Sequence, residues 1–502
     1  MMRLTVLHRW TLSAGLLLLA LCGRAQGLDD IMRYGRMDPL GTARSTGLGG
    51  AMTALGADLG AIASNPAGLG MYRSSDMSFT LGLGAGGGST TFAEESSVTA
   101  APHLIVGQIG GALTAPTNSP FFKRGTFAFA YRPIKDLHQR IEWNGEQDGQ
   151  SLTQQLALQA NGTPYDSLWS QNPFDADLAW YTYLIDTVPG TTDQYDPAFD
   201  SDSDRVRQSL RRDRSGRMGE TSIAYGTTYN DVLHIGMAIG LTSVEMERVD
   251  VYAEQQLSGP SPLDRLTFND RLQVSGSGGF WSFGLILQPD NAPIRLGWSY
   301  RSGSVFSIDD FYSVDAVSDF SDGTGFEWNS PESYIQYRIR TPRTQRLGFS
   351  WTMGKAALLT LDYGRSDFRT ATFTSNDLYQ EDVDRIQSDL DSAFTVEQQF
   401  RGGLEFRVDD VWRFRMGGGW RSPAADPGTD FNGAIDGTYV EDGSGIVHWA
   451  FGGEYRAEEW HAGATYRHTS TDAGRRLYAL SPEVARGRTG LGLLMMSIGA
   501  RF

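Results

Sequence analysis

Cysteine, lysine, histidine and long apolar runs are all scarce in this 502-residue sequence, and each scarcity removes a class of protein. Cys22 is the only cysteine, so a small secreted domain framed by disulfides is excluded. Lys123, Lys135 and Lys355 are the only lysines, and nearly all positive charge is arginine. With 43 basic against 59 acidic residues and a formal charge of −16, the chain lacks the basic footprint of a nucleic-acid partner. Beyond residue 26, no apolar stretch approaches the roughly 20 residues of a transmembrane helix. The seven histidines show no metal-motif spacing, so no metal site is expected. No Ser-His-Asp or Cys-His arrangement can be assigned either. The expectation is a protein that is not an enzyme and needs no cofactor.

What is present begins with an export signal. Arg3, His8 and Arg9 precede a short apolar run over residues 12–21. Gly23-Arg24-Ala25 then places small residues where a signal peptidase needs them, so residues 1–25 read as a signal peptide cleaved before Gln26. Cys22 also permits a lipoprotein reading, against which the bulky Leu21 stands.

Downstream, the hydropathy alternates. Over residues 399–408, Phe400, Leu404, Phe406 and Val408 share one face, and Gln399, Arg401, Glu405 and Arg407 the other. Asp409-Asp410 is a turn, after which Trp412, Phe414, Met416 and Trp420 oppose Arg413, Arg415 and Arg421. A period of two over some ten residues is a strand with two chemically opposite faces. The pattern recurs at 447–456, 460–467, 347–363 and 126–132. Short turns near 230, 290, 354, 409 and 458 alternate with long polar stretches at 134–217, 315–331, 375–393, 422–444 and 471–488. This is the pattern of a membrane barrel. The expectation is all-β: about 14 antiparallel strands, from 76–83 and 102–114 through to 490–502. Two places are ambiguous: the long excursion 232–288, and Thr341-Pro342, where a bulge and a turn read alike. The terminal strand ends on Phe502, with Ala500, Ile498, Met496 and Leu494 on its face, an expected assembly signal for the barrel-insertion machinery.

Residues 26–75 do not alternate. They contain Gly47-Leu48-Gly49-Gly50-Ala51 and Ser64-Asn65-Pro66-Ala67-Gly68-Leu69. Small residues suit packing inside something else better than forming a core. The glycine run is a poor dinucleotide fingerprint, because no strand precedes it and no βαβ unit follows. Asn65-Pro66 also reads simply as a turn. With the first strand behind it, this stretch resembles the entrance of the FadL/TodX family of outer-membrane transporters for hydrophobic compounds. The resemblance implies a 14-stranded barrel in the bacterial outer membrane with both termini periplasmic. Its lumen would be closed by an N-terminal hatch over residues 26–75, with residues 76–502 as the barrel. It carries over residue by residue to Asn65, Pro66 and Ala67, with Gly47, Gly49 and Gly50 alongside as hatch or gate residues. It further implies passive uptake of fatty-acid-like or aromatic molecules. The family's lateral opening comes from a kinked strand, whose place the sequence does not mark.

Other features admit more than one reading. Charge on a lipid-facing surface costs about 2–4 kcal/mol per residue near the midplane. Arg401, Arg407, Arg413, Arg415, Arg421, Arg456 and Arg467 are therefore expected in the lumen. There they would pair with Glu405, Glu454 and Asp362, hold the hatch, or attract a carboxylate headgroup. His448 and His461 lie on the polar faces of neighbouring strands and can approach each other there. Asp200, Asp202 and Asp204 imitate the start of a calcium loop, but Arg205 and Arg211 stand where Gly and Glu are needed. Residues 151–160 and 175–185 look helical and apolar, either a capture surface for ligand or a self-packed cap. The long acidic loops also suit a scaffold or shuttle that holds a surface-protein partner, and a soluble periplasmic β-protein shares the overall composition.

Overall fold

The computed structural model describes residues 23–38, 40–199, 203–290, 292–426, 430–431, 439–440 and 444–502. The expected signal's apolar run and Cys22 lie outside the described residues, as do Asp200, Asp202 and most of the 422–444 stretch.

Fourteen antiparallel strands close a barrel. They are β1 (Asp76–Phe92), β2 (Glu95–Pro116) and β3 (Phe122–Asp136, resuming at Gln139–Asp148). Next come β4 (Arg205–Tyr229), β5 (Leu233–Ser258), β6 (Leu263–Leu287) and β7 (Ile294–Arg301 and Val305–Phe320). Then follow β8 (Ser333–Arg340 and Thr344–Met353), β9 (Ala357–Asp367 and Thr372–Ser375), β10 (Val396–Arg407) and β11 (Trp412–Arg421). The last are β12 (Ile446–Arg456), β13 (Trp460–Arg475) and β14 (Ala485–Arg501). Closure comes from β1 pairing with β14 along its length, Asp76 opposite Arg501 and Thr91 opposite Arg486. Closure leaves no terminal edge strand, which is what lets a sheet sit in lipid.

The alternation resolves as the sequence reading requires. Phe400, Phe414, Met416, Trp420 and Trp449 are exposed on the outside, while Arg401, Arg415, Arg421 and Glu454 are buried in the lumen. The excursion 232–288 is one hairpin, β5 with β6. The Thr341-Pro342 region is an interruption within β8, where Thr341 N donates to Ser304 O at 2.9 Å.

Several boundaries differ from the sequence reading. Strands β1 and β2 run on to a two-residue turn at Ala93-Glu94, whose φ angles are 46° and 66°. Two left-handed central residues match the twist of the strands they join. The glycines at 84 and 86–88 hid this hairpin by erasing the alternation. The stretch 134–217 is wall at both ends, to Asp148 and again from Arg205, and only the part between them leaves the barrel. Likewise β13 reaches Arg475, β14 begins at Ala485, and residues 380–393 form a helix, α3 below, rather than an irregular loop.

The 149–204 excursion is a self-packed cap. Its helix α2 (Leu152–Ala160) starts at Ser151, whose side chain accepts from Thr153 N. Leu152, Leu156, Leu168, Leu178, Leu184 and Phe199 are buried together. Leu158, Trp169 and Tyr181, expected as part of the same apolar set, remain exposed. The cap is pinned to β5, where Glu254 accepts from Leu152 N at 2.8 Å. Within it Asp175 has a buried Oδ1 with no hydrogen-bond partner among the described residues. Burial, reinforced by the Asp270 carboxylate, raises its carboxyl from 3.8 to about 7. The folded cap therefore favours the protonated acid, and its stability falls as pH rises from about 4 through 7. Asp175→Asn should abolish that dependence and slow hydrogen exchange of residues 149–199 at pH 8 relative to wild type. Equal exchange in the two proteins at pH 8 would contradict this.

Candidate functional site

Three structures define the lumen: a hatch, a chamber above it and a gap in the wall. The hatch is built from the residues that do not alternate. Helix α1 (Gly23–Gly35) buries Ile31 and Tyr34 against Phe306 and Phe368 and against α3 (Gln380–Ala393), which folds in from the long-loop end. Below it, residues 40–72 cross the lumen, with Leu59, Ile62, Leu69 and Tyr72 packed on Ala112, Ala128, Ala130, Ala224 and Ala238 of the wall. Small wall side chains make room for the hatch.

Asn65 is the main tie. It is fully buried, and its Nδ2 donates to Thr53 O at 2.7 Å, to Leu285 O of β6 at 3.0 Å and to Trp298 O of β7 at 3.3 Å. Its Oδ1 accepts from Ala67 N at 3.1 Å, capping the short 3-10 helix Pro66–Met71 in which Pro66 takes the first position. Asn65-Pro66 thus makes a turn, and this turn lies inside the barrel against β6 and β7. The wall comes close here because it carries glycine. A Cβ on Gly284 would lie 1.8 Å from Asn65 Oδ1, and one on Gly236 2.3 Å from Pro66. On the far wall, a Cβ on Gly417 would lie 2.3 Å from Leu48. Gly49 and Gly50 adopt φ of 65° and 76°, which turns the chain along β11, and Gly47 lies against Thr465 of β13.

The luminal arginines do two jobs. Arg415, buried, sits 2.6 Å from Glu405 and 2.7 Å from Glu454, which also meets Arg456 at 2.8 Å. Hatch residue Arg44 joins this group through Glu405 at 3.2 Å. Asp362 departs from the expected arginine pairing: it accepts from Thr53 N at 3.0 Å and Thr53 Oγ1 at 2.7 Å, so it holds the hatch. Arg401 donates to Gln399 at 2.6 Å. Arg407 lies at the Asp409-Asp410 turn and pairs with Asp410, outside the luminal network. His448 and His461 do not meet. His448 Nε2 lies 3.0 Å from Gly49 O, whereas His461 is 3.5 Å from Asp76, eight residues away along the hairpin ladder. Asp204, the one described member of the calcium-like run, is buried and accepts from Ser261 N.

Above the hatch lies a chamber of about 320 Å³. Its lining is basic: seven residues, among them Arg33, Lys135, Arg212, Arg214 and Arg421, against Asp29, Asp38 and Asp136. Met32, Leu137, Ile141, Trp143, Ile446 and Leu491 supply apolar surface. Lys135 Nζ donates to Arg33 O at 2.7 Å, and Arg214 carries a buried Nε with no partner among the described residues. Below the hatch, a separate vestibule of about 850 Å³ faces the short-turn end.

The hydrogen-bond ladder of the wall is interrupted beside the chamber. Strands β2 and β3 pair only between Ile109–Pro116 and Arg124–Tyr131. Pro133 lacks the N–H a ladder needs; the β3–β4 register shifts just after it, and the chain bends inward at Leu137-His138. From Gln139 onward β3 pairs only with β4, leaving β2 from Glu95 to Gln108 without a ladder partner on that side. Leu104 and Val106 on β2 are strongly exposed, so this seam lies at the level of the apolar belt. Side chains, not a ladder, hold it: Thr99 Oγ1 donates to Arg140 O at 2.6 Å and Asn144 Nδ2 to Ser97 Oγ at 3.1 Å. His103, Asp136 and His138 cluster at the bend. This cluster went unread in the sequence, because its members lie far apart and only the Asp-x-His spacing at 136–138 hints at it.

No family model and no curated relative matches the chain by sequence. Among solved structures it is similar to a Pseudomonas aeruginosa FadL homologue, at 11% identity and a TM-score of 0.52, covering 93% of this chain and 99% of that one. It is similar also to the toluene transporter TodX of P. putida, at 12% identity and a TM-score of 0.51, with 93% and 99% covered. At such identities the likeness is one of fold: the chain has the fold of the FadL/TodX barrels.

Proposed function

We propose that this protein is a bacterial outer-membrane channel for passive uptake of apolar compounds that carry an acidic headgroup. The observation behind this reading is the chamber, basic and apolar at once, inside a chain whose formal charge is −16. Lys135, Arg214 and Arg421 offer charge-assisted hydrogen bonds to a carboxylate. Met32, Ile141, Trp143 and Leu491 offer contact to an apolar tail.

Ligand enters from the long-loop end beneath the cap and α3. The hatch, tied by Asn65 and crowded against Gly236, Gly284 and Gly417 of the wall, closes the axial route. The seam between β2 and β3 provides the way out, sideways at belt level, so the tail need not cross water. Both termini are then periplasmic. Phe502, whose N donates to Ser75 O at 3.1 Å, ends on the short-turn side, where an assembly signal would be read. No energy source is needed, because moving apolar surface from water to membrane is downhill by about 25 cal/mol per Å².

The test compares a long-chain carboxylate with its methyl ester, in cells whose own channels for such compounds are deleted. Wild type should take up the acid in preference. The double variant Lys135→Met, Arg214→Met should lose acid uptake by about 10-fold, the equivalent of one charge-assisted hydrogen bond, with ester uptake little changed. Equal handling of acid and ester by the wild type would refute the headgroup assignment.

A further inference from the structure

The bend in β3, where the chamber meets the seam, carries a cluster of groups to which headgroup binding assigns no role. His103 on β2 reaches across the seam to Asp136 on β3, with Nε2 to Oδ2 at 2.5 Å. The other carboxylate oxygen of Asp136 lies 2.9 Å from His138 Nδ1 and accepts from His138 N at 3.1 Å. The two imidazoles stack at 4.0 Å with 15° between their planes. Asp136 is almost entirely enclosed, its side chain 2% exposed, whereas those of His103 and His138 are 11% and 31% exposed. Gly84 on β1 leaves the space that the His103 ring occupies, since a Cβ there would lie 2.7 Å from Nε2.

Proton bookkeeping restricts what this cluster is. The Ala101 carbonyl can only accept, so His103 Nδ1, 3.0 Å from it, carries the hydrogen. In a neutral ring Nε2 then presents a lone pair to a carboxylate oxygen, which is repulsive. A proton between Nε2 and Oδ2, or a cation shared by the three groups, removes that repulsion, and a cation also meets the second ring that faces Asp136. The ligand atoms all lie within 4.8 Å of one another. Three corners of a tetrahedral zinc site with bonds of about 2.0 Å lie roughly 3.3 Å apart, a modest rearrangement for side chains next to a bend. The Ala101 carbonyl on the far nitrogen of His103 is the outer partner that fixes the tautomer of a metal-ligating histidine.

We propose that His103, Asp136 and His138 form a binding site for a divalent transition metal, with zinc the best match to two imidazoles and one carboxylate. Because His103 stands on β2 and the other two on β3, the metal would bridge the seam where the ladder is missing. Metal would latch the wall at that point, and its removal would loosen it. The latch role rests on the seam as the exit proposed above; the metal site itself does not.

The test uses the purified full-length barrel in detergent, stripped with chelator, and the metal alone as probe. Calorimetric titration with zinc chloride should show one zinc per chain. Affinity should fall by at least about 10-fold in His103→Ala and in His138→Ala, and stay unchanged in His468→Ala, where the histidine packs beside Trp449 away from the seam. Only variants that keep the gel-mobility shift of a folded barrel are compared, and His103→Gln is the closer-sized replacement should His103→Ala fail to fold. Zinc should also slow hydrogen exchange over residues 97–108 and 139–146. No saturable binding, or equal binding in His103→Ala, overturns the site. Binding at the three residues with unchanged exchange across the seam overturns the latch. Neither readout involves transport, so failure of the uptake proposal is separately recognisable.

Discussion

Asn65→Ala should turn a closed barrel into a leaky one. In planar bilayers the wild type is expected to show almost no steady ion conductance, because the hatch separates the chamber from the vestibule. The variant should show frequent open events, and cells carrying it should become sensitive to bulky hydrophilic antibiotics. The reason is concentrated in one amide group. Asn65 Nδ2 joins the hatch backbone at Thr53 to two wall strands through Leu285 and Trp298, and Oδ1 caps the next turn at Ala67. Alanine removes all four contacts and leaves buried carbonyls unsatisfied, at about 1–3 kcal/mol for each uncompensated group. Asp362 at Thr53, Glu405 at Arg44 and His448 at Gly49 still hold the rest of the hatch, so the loosening centres on Asn65 and the turn after it. Asn65→Asp keeps the shape and the Oδ1 contact but sets a carboxylate oxygen against carbonyls, so it should leak as well. A variant as tightly closed as the wild type would show that the hatch is held elsewhere.

Arg415→Met should be the most destabilising single change in the wall. Arg415, its side chain 1% exposed, bridges Glu405 and Glu454 and, through Glu405, reaches the hatch at Arg44. Removing it leaves two carboxylates close together, offset by Arg44, Arg456 and the more distant Arg413. Losing one partner from a buried ion network costs about 3–5 kcal/mol. Urea unfolding in detergent should register that loss. Arg488→Met, which breaks the exposed pair with Asp472 on the long-loop side, should cost less than about 1 kcal/mol. Comparable losses from the two substitutions would mean that the luminal network is solvated and contributes little.

How much of this was legible depended on the range over which each signal acts. Alternation is local, so β10 and β11 appeared in the sequence nearly as they stand, with Phe400, Phe414 and Trp420 outside and Arg401, Arg415 and Arg421 inside. The β1–β2 hairpin was cut short because glycines at 84 and 86–88 carry no face. Those same glycines have a structural reason: a Cβ on Gly86 would lie 1.9 Å from His138 O, where β3 bends inward. Gly236, Gly284 and Gly417 are where the hatch touches the wall. Glycine reports a close approach but never names what approaches. Asn65 and Pro66 were found through resemblance. Their wall partners, Leu285 and Trp298, lie more than 200 residues away and left no trace in the sequence. The chamber draws its cations from the hatch, β3, β4, β11 and β13, so no window of sequence contains it. Pro133 was visible as the end of a strand, while the resumption of β3 at Gln139, which makes the seam, depends on pairing with β4 that only the fold provides.

The central claim is that the chamber holds an apolar anion, and the most direct measurement is a structure of the purified protein saturated with a long-chain alkyl carboxylate. The account predicts continuous density in the chamber, with the headgroup beside Lys135, Arg214 and Arg421 and the tail along Ile141, Trp143 and Leu491. An empty chamber at saturation, or density only on the outer face of the barrel, would contradict it.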